Sequence, residues 1–244
     1  MKRKLVLTLV AVVAALFVKA QTADEILAKY FENTGGKDKW KALKSMKATG
    51  KVNFQNMDFP ITIFETTPVK QRTVIQVQGV EIVQAYDGTD AWMVNPLQGG
   101  TAAVKLSDDE AKEFKDNEFE DEFIDYKSKG HTVEFLGSEE VDGVKCYKIQ
   151  LVKNKNNDKE DVTEIHYFDS ENYVPIMRVT YARSGPAKGQ EVKMYLSDYQ
   201  DVNGLMMPFF MESKLNGQTF QKVTIEKVTL DEPMEDSLFA FPKN

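Results

Sequence analysis

The stretch HYFDSENYVPIM, residues 166–177, gathers His166, Asp169, Ser170 and Glu171, residue types that could make a hydrolase or a metal site. A Ser-His-Asp set works only if the three side chains converge, with the imidazole between hydroxyl and carboxylate. Neighbours in a strand point alternately to opposite faces, so residues this close in sequence cannot converge. His166 sits in VTEIHYFD, where alternation puts Val162, Glu164 and His166 on one face and Thr163, Ile165 and Tyr167 on the other. The stretch reads better as strand, Asp-Ser-Glu-Asn turn, strand, with Pro175 near the turn, where a missing N–H costs least. It is a hairpin.

The remaining candidates are weaker still. His131 is the only other histidine, and the sequence contains no His-Glu-x-x-His, Cys-x-x-Cys or Gly-x-Ser-x-Gly. GPAKGQ lacks the spacing and the Lys-Ser/Thr of a phosphate loop. Residues 107–126, SDDEAKEFKDNEFEDEFIDY, crowd ten carboxylates together but contain no Asp-x-Asp-x-Asp-Gly calcium loop. A solvated helical face explains them better. Asp and Glu are abundant enough for a glycosidase, yet nothing singles out a pair. No catalytic residue, metal site or cofactor is therefore expected, and the chain is not expected to be an enzyme.

The elements around these residues follow from periodicity. Thr22-Ala23-Asp24-Glu25 is a capping box, and Ile26, Leu27, Tyr30 and Phe31 follow at helical spacing until Gly35-Gly36. A short turn of helix around Trp40 and Leu43 comes next. From about residue 45 the period becomes 2, as in KATGKVNF, ITIFE and RTVIQVQ, with Ile61/Ile63 and Ile75/Val77 on one face. Asp87-Gly88, Asp142-Gly143, Asn203-Gly204 and Asn216-Gly217 each lie between β-like runs and supply the positive φ of tight hairpins. They predict an antiparallel meander of about eleven or twelve strands. Too few helices exist for parallel crossovers.

Residues 107–126 interrupt the meander. Ser107 and Glu110 make a second capping box, and Ala111/Phe114 and Phe119/Phe123 pair at helical spacing, which predicts a helix pair with a phenylalanine stripe. So many strands cannot stay flat in an open sheet. The predicted fold is mainly β with a few helices: a strongly curved, incompletely closed antiparallel β-barrel under a helical lid, enclosing a hydrophobic cavity.

The chain starts MKRKLVLTLVAVVAALFVKAQ, with a basic cluster, the apolar run Leu5 to Val18 and small residues at Val18 and Ala20. This is the layout of a secretory signal peptide cleaved after Ala20, and the run is short for a bilayer span of ~20 residues. Residues 21–244 then read as one domain, with no Pro-, Gly- or Ser-rich linker. Losing Lys2, Arg3, Lys4 and Lys19 takes the net charge from −7 to −11, which argues against nucleic acid or an anionic membrane surface as main partner. Cys146 is the single cysteine, so no intrachain disulfide forms and none follows the leader to take a lipid. A bacterial periplasm fits.

Several segments, in order, resemble the outer-membrane lipoprotein-sorting family, the periplasmic lipoprotein carriers of the LolA/LolB type. EIVQAYDGTDAWMVNP (81–96) is similar to that family's strand, Asp-Gly turn and Trp-x-x-x-Pro strand. YFDSENYVPIMRVTY (167–181) is similar to its Phe-Asp hairpin, and SDYQDVNGLMMPFFME (197–212) and DEPMEDSLFAFP (231–242) to its closing strands and terminal Leu-Phe-x-Phe. The resemblance implies an unclosed barrel with a helical lid, and a soluble monomer that carries lipoprotein acyl chains or another lipid. It also implies an inner-membrane release complex and an outer-membrane acceptor as partners. One departure stands out: the carriers have an arginine before a proline at the end of an early strand, which helps hold the lid closed. Here ETTPVK puts Thr67 before Pro68, and Arg72, though close, is not given that role.

The expected cavity wall is Val52, Phe54, Ile61, Ile63, Ile75, Val77 and Trp92, with Phe114, Phe119 and Phe123 from the lid. As a set they should line one void. The competing functions are an envelope sensor or interaction module on the same fold and, more remotely, an exported hydrolase.

Overall fold

The computed structural model describes residues 21–117, 119–153 and 161–242; the leader read at residues 1–20 lies outside them. Helix α1 (Ala23–Asn33) starts at the anticipated capping box. The Glu25 N–H donates to Thr22 Oγ1 at 3.2 Å, and the Thr22 N–H donates to Glu25 Oε2 at 3.1 Å. Gly35, at φ 110°, ends the helix where a Cβ would meet the Gly204 carbonyl oxygen at 2.1 Å, so only glycine fits. The short helix α2 (Lys37–Ala42) follows, and its Lys39 ammonium donates to the Gly204 carbonyl at 3.3 Å.

Among the described residues, thirteen strands then form one sheet. They are β1 (Ser45–Phe54), β2 (Met57–Thr66), β3 (Lys70–Val77), β4 (Val80–Tyr86), β5 (Ala91–Asn95) and β6 (Gly100–Lys105), then β7 (Thr132–Val141), β8 (Val144–Lys153), β9 (Val162–Asp169), β10 (Pro175–Tyr181), β11 (Glu191–Val202), β12 (Leu205–Leu215) and β13 (Gln218–Leu230). The order runs β6-β5-β4-β3-β2-β1-β13-β12-β11-β10-β9-β8-β7, with every neighbouring pair antiparallel. The sheet curls but does not close. Thirteen exceeds the eleven or twelve expected; β6, GTAAVK, is exposed at all but one position and has no apolar alternation to announce it.

Three of the four Asp/Asn-Gly signals are tight turns with both residues at positive φ: Asp142-Gly143 (48°, 84°), Asn203-Gly204 (54°, 79°) and Asn216-Gly217 (50°, 79°). Asp87-Gly88 differs. There the Asp87 carboxylate accepts from the Thr89 and Asp90 N–H groups at 2.9 and 2.8 Å, closing a wider loop.

The helix pair expected over 107–126 is not what forms. Only α3 (Lys112–Asp116) is helical, and residues 121–130 are mostly turns. Ser107 and Glu110 do cap each other, at 2.9 and 3.4 Å, but around a turn that precedes α3. Ten acidic side chains against two lysines, Lys112 and Lys115, leave most of this stretch without a favourable i,i+4 pair and give it little helical support of its own. Contacts with the sheet decide its path instead.

That path runs between the two sheet edges. β6 and β7 are consecutive in sequence yet lie at opposite ends of the sheet, and residues 106–131 join them. The connection lies on the sheet face that also receives α1 and α2, the inner face.

Candidate functional site

Strand register carries one continuous row of side chains across the inner face. Ile75 pairs with Ile61, Ile61 with Gly50 and Gly50 with Ile225. Gly50 sits at a bulge where a Cβ would lie 2.0 Å from the Thr224 carbonyl oxygen, so the strands approach closely there. In the next row Val52 pairs with Val223, Val223 with Met211 and Met211 with Leu196. This wall is apolar, and much of it is only half-buried. Val52 and Ile61 are buried, whereas Phe54, Phe59, Ile63, Ile75 and Met211 keep partial exposure.

Residues 106–131 cross this wall as a strap pinned by three phenylalanines. Phe114 packs with Tyr86 and Ala91, Phe119 against the Val52/Ile61 cluster, and Phe123 against α1 with Ile149, Leu151 and Phe168. Polar contacts hold its far end. The Tyr30 hydroxyl donates to Asp121 at 2.5 Å, the Tyr126 hydroxyl and Lys127 ammonium to Asp24 at 2.6 Å, and Lys37 to Asp125 at 2.8 Å. Burial pushes the Asp121 carboxyl up to about 6, against the Tyr30 hydrogen bond.

On β8–β10 the same inner face turns charged. Lys153 Nζ lies 2.7 Å from Glu122 of the strap and 2.8 Å from Glu164. His166 Nε2 is 3.2 Å from each carboxylate, and Arg178 Nη1 is 3.9 Å from each. Burial works against charge on Glu164, but the His166 hydrogen bond and the Lys153 and Arg178 charges hold its carboxyl well below the usual range. Burial likewise opposes the Lys153 ammonium, which Glu122 and Glu164 nonetheless hold above its ordinary value. Two carboxylates facing two fixed cations make a balanced network, which is how charges survive burial.

Glu122, Glu164 and His166 have ligand-like spacing, with donor atoms within 4.8 Å of one another. Lys153 already occupies the carboxylate side of that trio, so a divalent cation would have to displace a buried ammonium. Nor does the cluster make a nucleophile. Asp169 is taken by its own turn, accepting from the Glu171 N–H at 2.8 Å and Asn172 Nδ2 at 2.7 Å, and it does not orient His166. The opening stretch is the β9–β10 hairpin.

The ten residues expected to line one void do not do so. Val52, Phe54, Ile61, Ile63 and Ile75 share the inner wall with Phe119, and register puts Val77 on that face. Phe114 and Phe123 belong to separate clusters on the same face. Trp92 is a correction: its pairing with Ala85, and of Ala85 with Arg72 and Arg72 with Phe64, places it on the outer face. There the C-terminal tail covers it, its indole N–H donating to the Phe239 carbonyl at 2.8 Å. The Asp87–Asp90 loop adds two residues to a two-residue turn and so preserves alternation; counting across the hairpins from Ile75 through Ile82 and Tyr86 already sets Trp92 opposite the apolar wall. Arg72 also serves the tail, donating to the Leu238 carbonyl at 2.9 Å, and does not touch the strap.

Clefts of about 490 Å³ open elsewhere: one under the tail at Phe64 and Leu238, another on the inner side of β9–β13 at Glu164, Arg178, Leu215 and Phe220. A cleft of about 390 Å³ separates α1 from the strap at Phe31 and Phe123. Sequence reasoning missed the Lys153–Glu122–Glu164–His166–Arg178 cluster. Its one visible signal was Glu164 and His166 sharing a strand face.

The model of a family described as "Uncharacterized protein" matches residues 67–241. No curated protein matches the sequence. Among solved structures, a LolA superfamily protein from Nitrosomonas europaea is similar at 14% identity and TM-score 0.57, covering 91% of this chain and 98% of that one. A putative outer membrane lipoprotein-sorting protein domain from Vibrio parahaemolyticus follows at 14% identity and TM-score 0.56, covering 88% and 94%. A DUF1329 family protein from Desulfovibrio piger matches at 15% identity and TM-score 0.53, covering 88% and 97%. At these identities the likeness is one of fold.

Proposed function

Because this chain belongs to the family whose model spans residues 67–241, and folds like lipoprotein-sorting proteins, we propose that it is a non-catalytic carrier of acyl chains. The cargo is a lipoprotein's acyl chains or another lipid, held on the inner face and moved across a bacterial periplasm toward the outer membrane. The carrying observation is the half-buried apolar wall of Phe54, Phe59, Ile63, Ile75 and Met211, covered by a strap rather than by a second sheet.

Phe119 lies on that wall where an alkyl chain would lie. Exchange of one apolar group for another costs little, so cargo can replace the phenylalanine and be replaced by it. A chain burying about 14 methylenes at ~0.8 kcal/mol each gains on the order of 11 kcal/mol. Binding that strong needs a built-in competitor for release, and the strap supplies one. Export rests on the signal-like leader, which lies outside the described residues.

The test is native mass spectrometry of the protein from its own cell envelope, then uptake of a fluorescent acyl probe. Bound lipid or acylated peptide is expected, with Phe119→Ala taking up the probe more tightly and Ile63→Glu losing it. An apo mass and no uptake by either wild type or Phe119→Ala overturns the carrier reading in favour of an interaction module.

A further inference from the structure

The cleft on the inner side of β9–β13 carries a charged group that the apolar wall does not explain. It encloses about 490 Å³, and Val162, Val192, Leu215 and Phe220 supply its apolar lining. Tyr181 and Phe220 border it with 51% and 45% of their surface exposed, which gives the cleft an open apolar margin. Arg178 reaches into it from β10, its side chain 30% exposed.

The guanidinium of Arg178 balances charge in the Glu122–Glu164 network but makes no hydrogen bond to its carboxylates. It presents five N–H donors in a flat fork that matches a carboxylate or phosphate. Its nearest carboxylate atoms, on Glu122 and Glu164, lie 3.9 Å away, beyond hydrogen-bond distance. Those carboxylates are engaged at 2.7 and 2.8 Å by Lys153 and at 3.2 Å by His166. Arg178 donates instead from Nη2 to the Met194 thioether at 3.8 Å, a weak acceptor. Glu113, also at the cleft, turns its carboxylate to the Arg183 N–H and Ser184 hydroxyl at 3.4 and 3.3 Å.

We propose that this cleft is a headgroup subsite: Arg178 binds the anionic oxygen group, carboxylate or phosphate, of a single-chain amphiphile whose alkyl part lies on Leu215 and Phe220. The proposal rests on the carrier reading and adds to it a choice between charged and neutral amphiphiles. Arg178 shares the inner face with the apolar wall, through its pairing with Met194 and that of Met194 with Ser213. A ligand anchored there can therefore continue along one surface toward Met211.

The experiment is calorimetric titration of the full chain with dodecanoate, dodecyl phosphate and neutral dodecanol, each below its aggregation concentration. A charge-assisted fork should favour an anion over dodecanol by about tenfold or more, and whichever anion is favoured more identifies the source. Arg178→Gln should bring that ratio to within about twofold while dodecanol affinity holds. Phe220→Ala should weaken all three ligands and leave the ratio intact. A wild-type ratio near one, or a preference that survives Arg178→Gln, overturns the subsite and leaves acyl binding standing. If none of the three binds wild type, the carrier reading falls as well. Should Arg178→Gln not fold, the wild-type ratio together with Phe220→Ala decides.

Discussion

The two halves of the inner face are built on opposite principles. Around β1–β3 and β12–β13 the wall is apolar and continuous, with Val52, Ile61, Ile75, Val223 and Met211 meeting across strands. Around β8–β10 the same face holds Lys153, Glu164, His166 and Arg178, closed by Glu122 from the strap. An apolar wall resists change gradually, because each methyl group contributes on its own. A buried charge network resists it all at once, because each partner justifies the burial of the next. The strap touches both: its phenylalanines make non-directional apolar contacts, whereas Glu122 is specific to this chain's own cations.

The largest expected effect is on the charged half. Lys153→Met strands Glu122 and Glu164 without their cation and should lower unfolding stability by about 3–5 kcal/mol in urea titrations. Pairing it with Glu164→Gln should recover part of that loss. A cost under about 1 kcal/mol would mean that water solvates the cluster. In the apolar half, Ile61→Ala should cost about 2–4 kcal/mol by cavity formation, with no second substitution able to relieve it except one that refills the space.

Acidity acts with opposite sign on two carboxylates near the strap, Asp121 and Glu164. Asp121 titrates near 3.8 when unfolded and about 6 when folded, so the folded state keeps a proton that the unfolded state releases between those values. Its stabilisation is complete below pH 3.8 and is lost as the pH rises through about 6, an effect on the order of 2–3 kcal/mol. Glu164 runs the other way: its folded value is depressed, so its contribution is present above the unfolded value near 4.5 and fades as the pH falls below it. Unfolding midpoints from pH 2 to 7 should lose the Asp121 slope in Asp121→Asn and retain the acid loss below pH 4.5. If wild type and variant trace the same curve, Asp121 is not the group that titrates.

The smallest effect belongs to the outer face. Trp92→Phe keeps most of the ring but leaves the Phe239 carbonyl without its donor, a cost of about 1 kcal/mol. Acyl-probe uptake should not change, whereas Ile63→Ala should reduce it. Equal losses in both would place Trp92 in binding and contradict the register.

Much of the fold was legible because it rests on local chemistry. The Thr22–Glu25 box, the Asn-Gly and Asp142-Gly143 turns and the alternation of Ile61, Ile63 and Ile75 each act within a few residues. The charged half was illegible for the same reason. In VTEIHYFD the apolar Ile165 and Tyr167 look like the core side, and they do pack, but on the outer face with Val141, Cys146 and Met177. Glu164 and His166 look solvated, yet the strap buries them through Phe123 and Glu122. Alternation separates two faces without saying which is covered.

Sequence alone therefore determined the meander, its turns, the first helix and an apolar stripe on β1–β3, since neighbouring residues suffice for each. Tertiary structure decided the path of the strap, the tail that covers Trp92 and the meeting of Glu122 with Lys153, His166 and Arg178. Those outcomes depend on a sheet whose edges, consecutive in sequence, stand at opposite ends of the fold. A chain crossing between them meets residues it has no local reason to find.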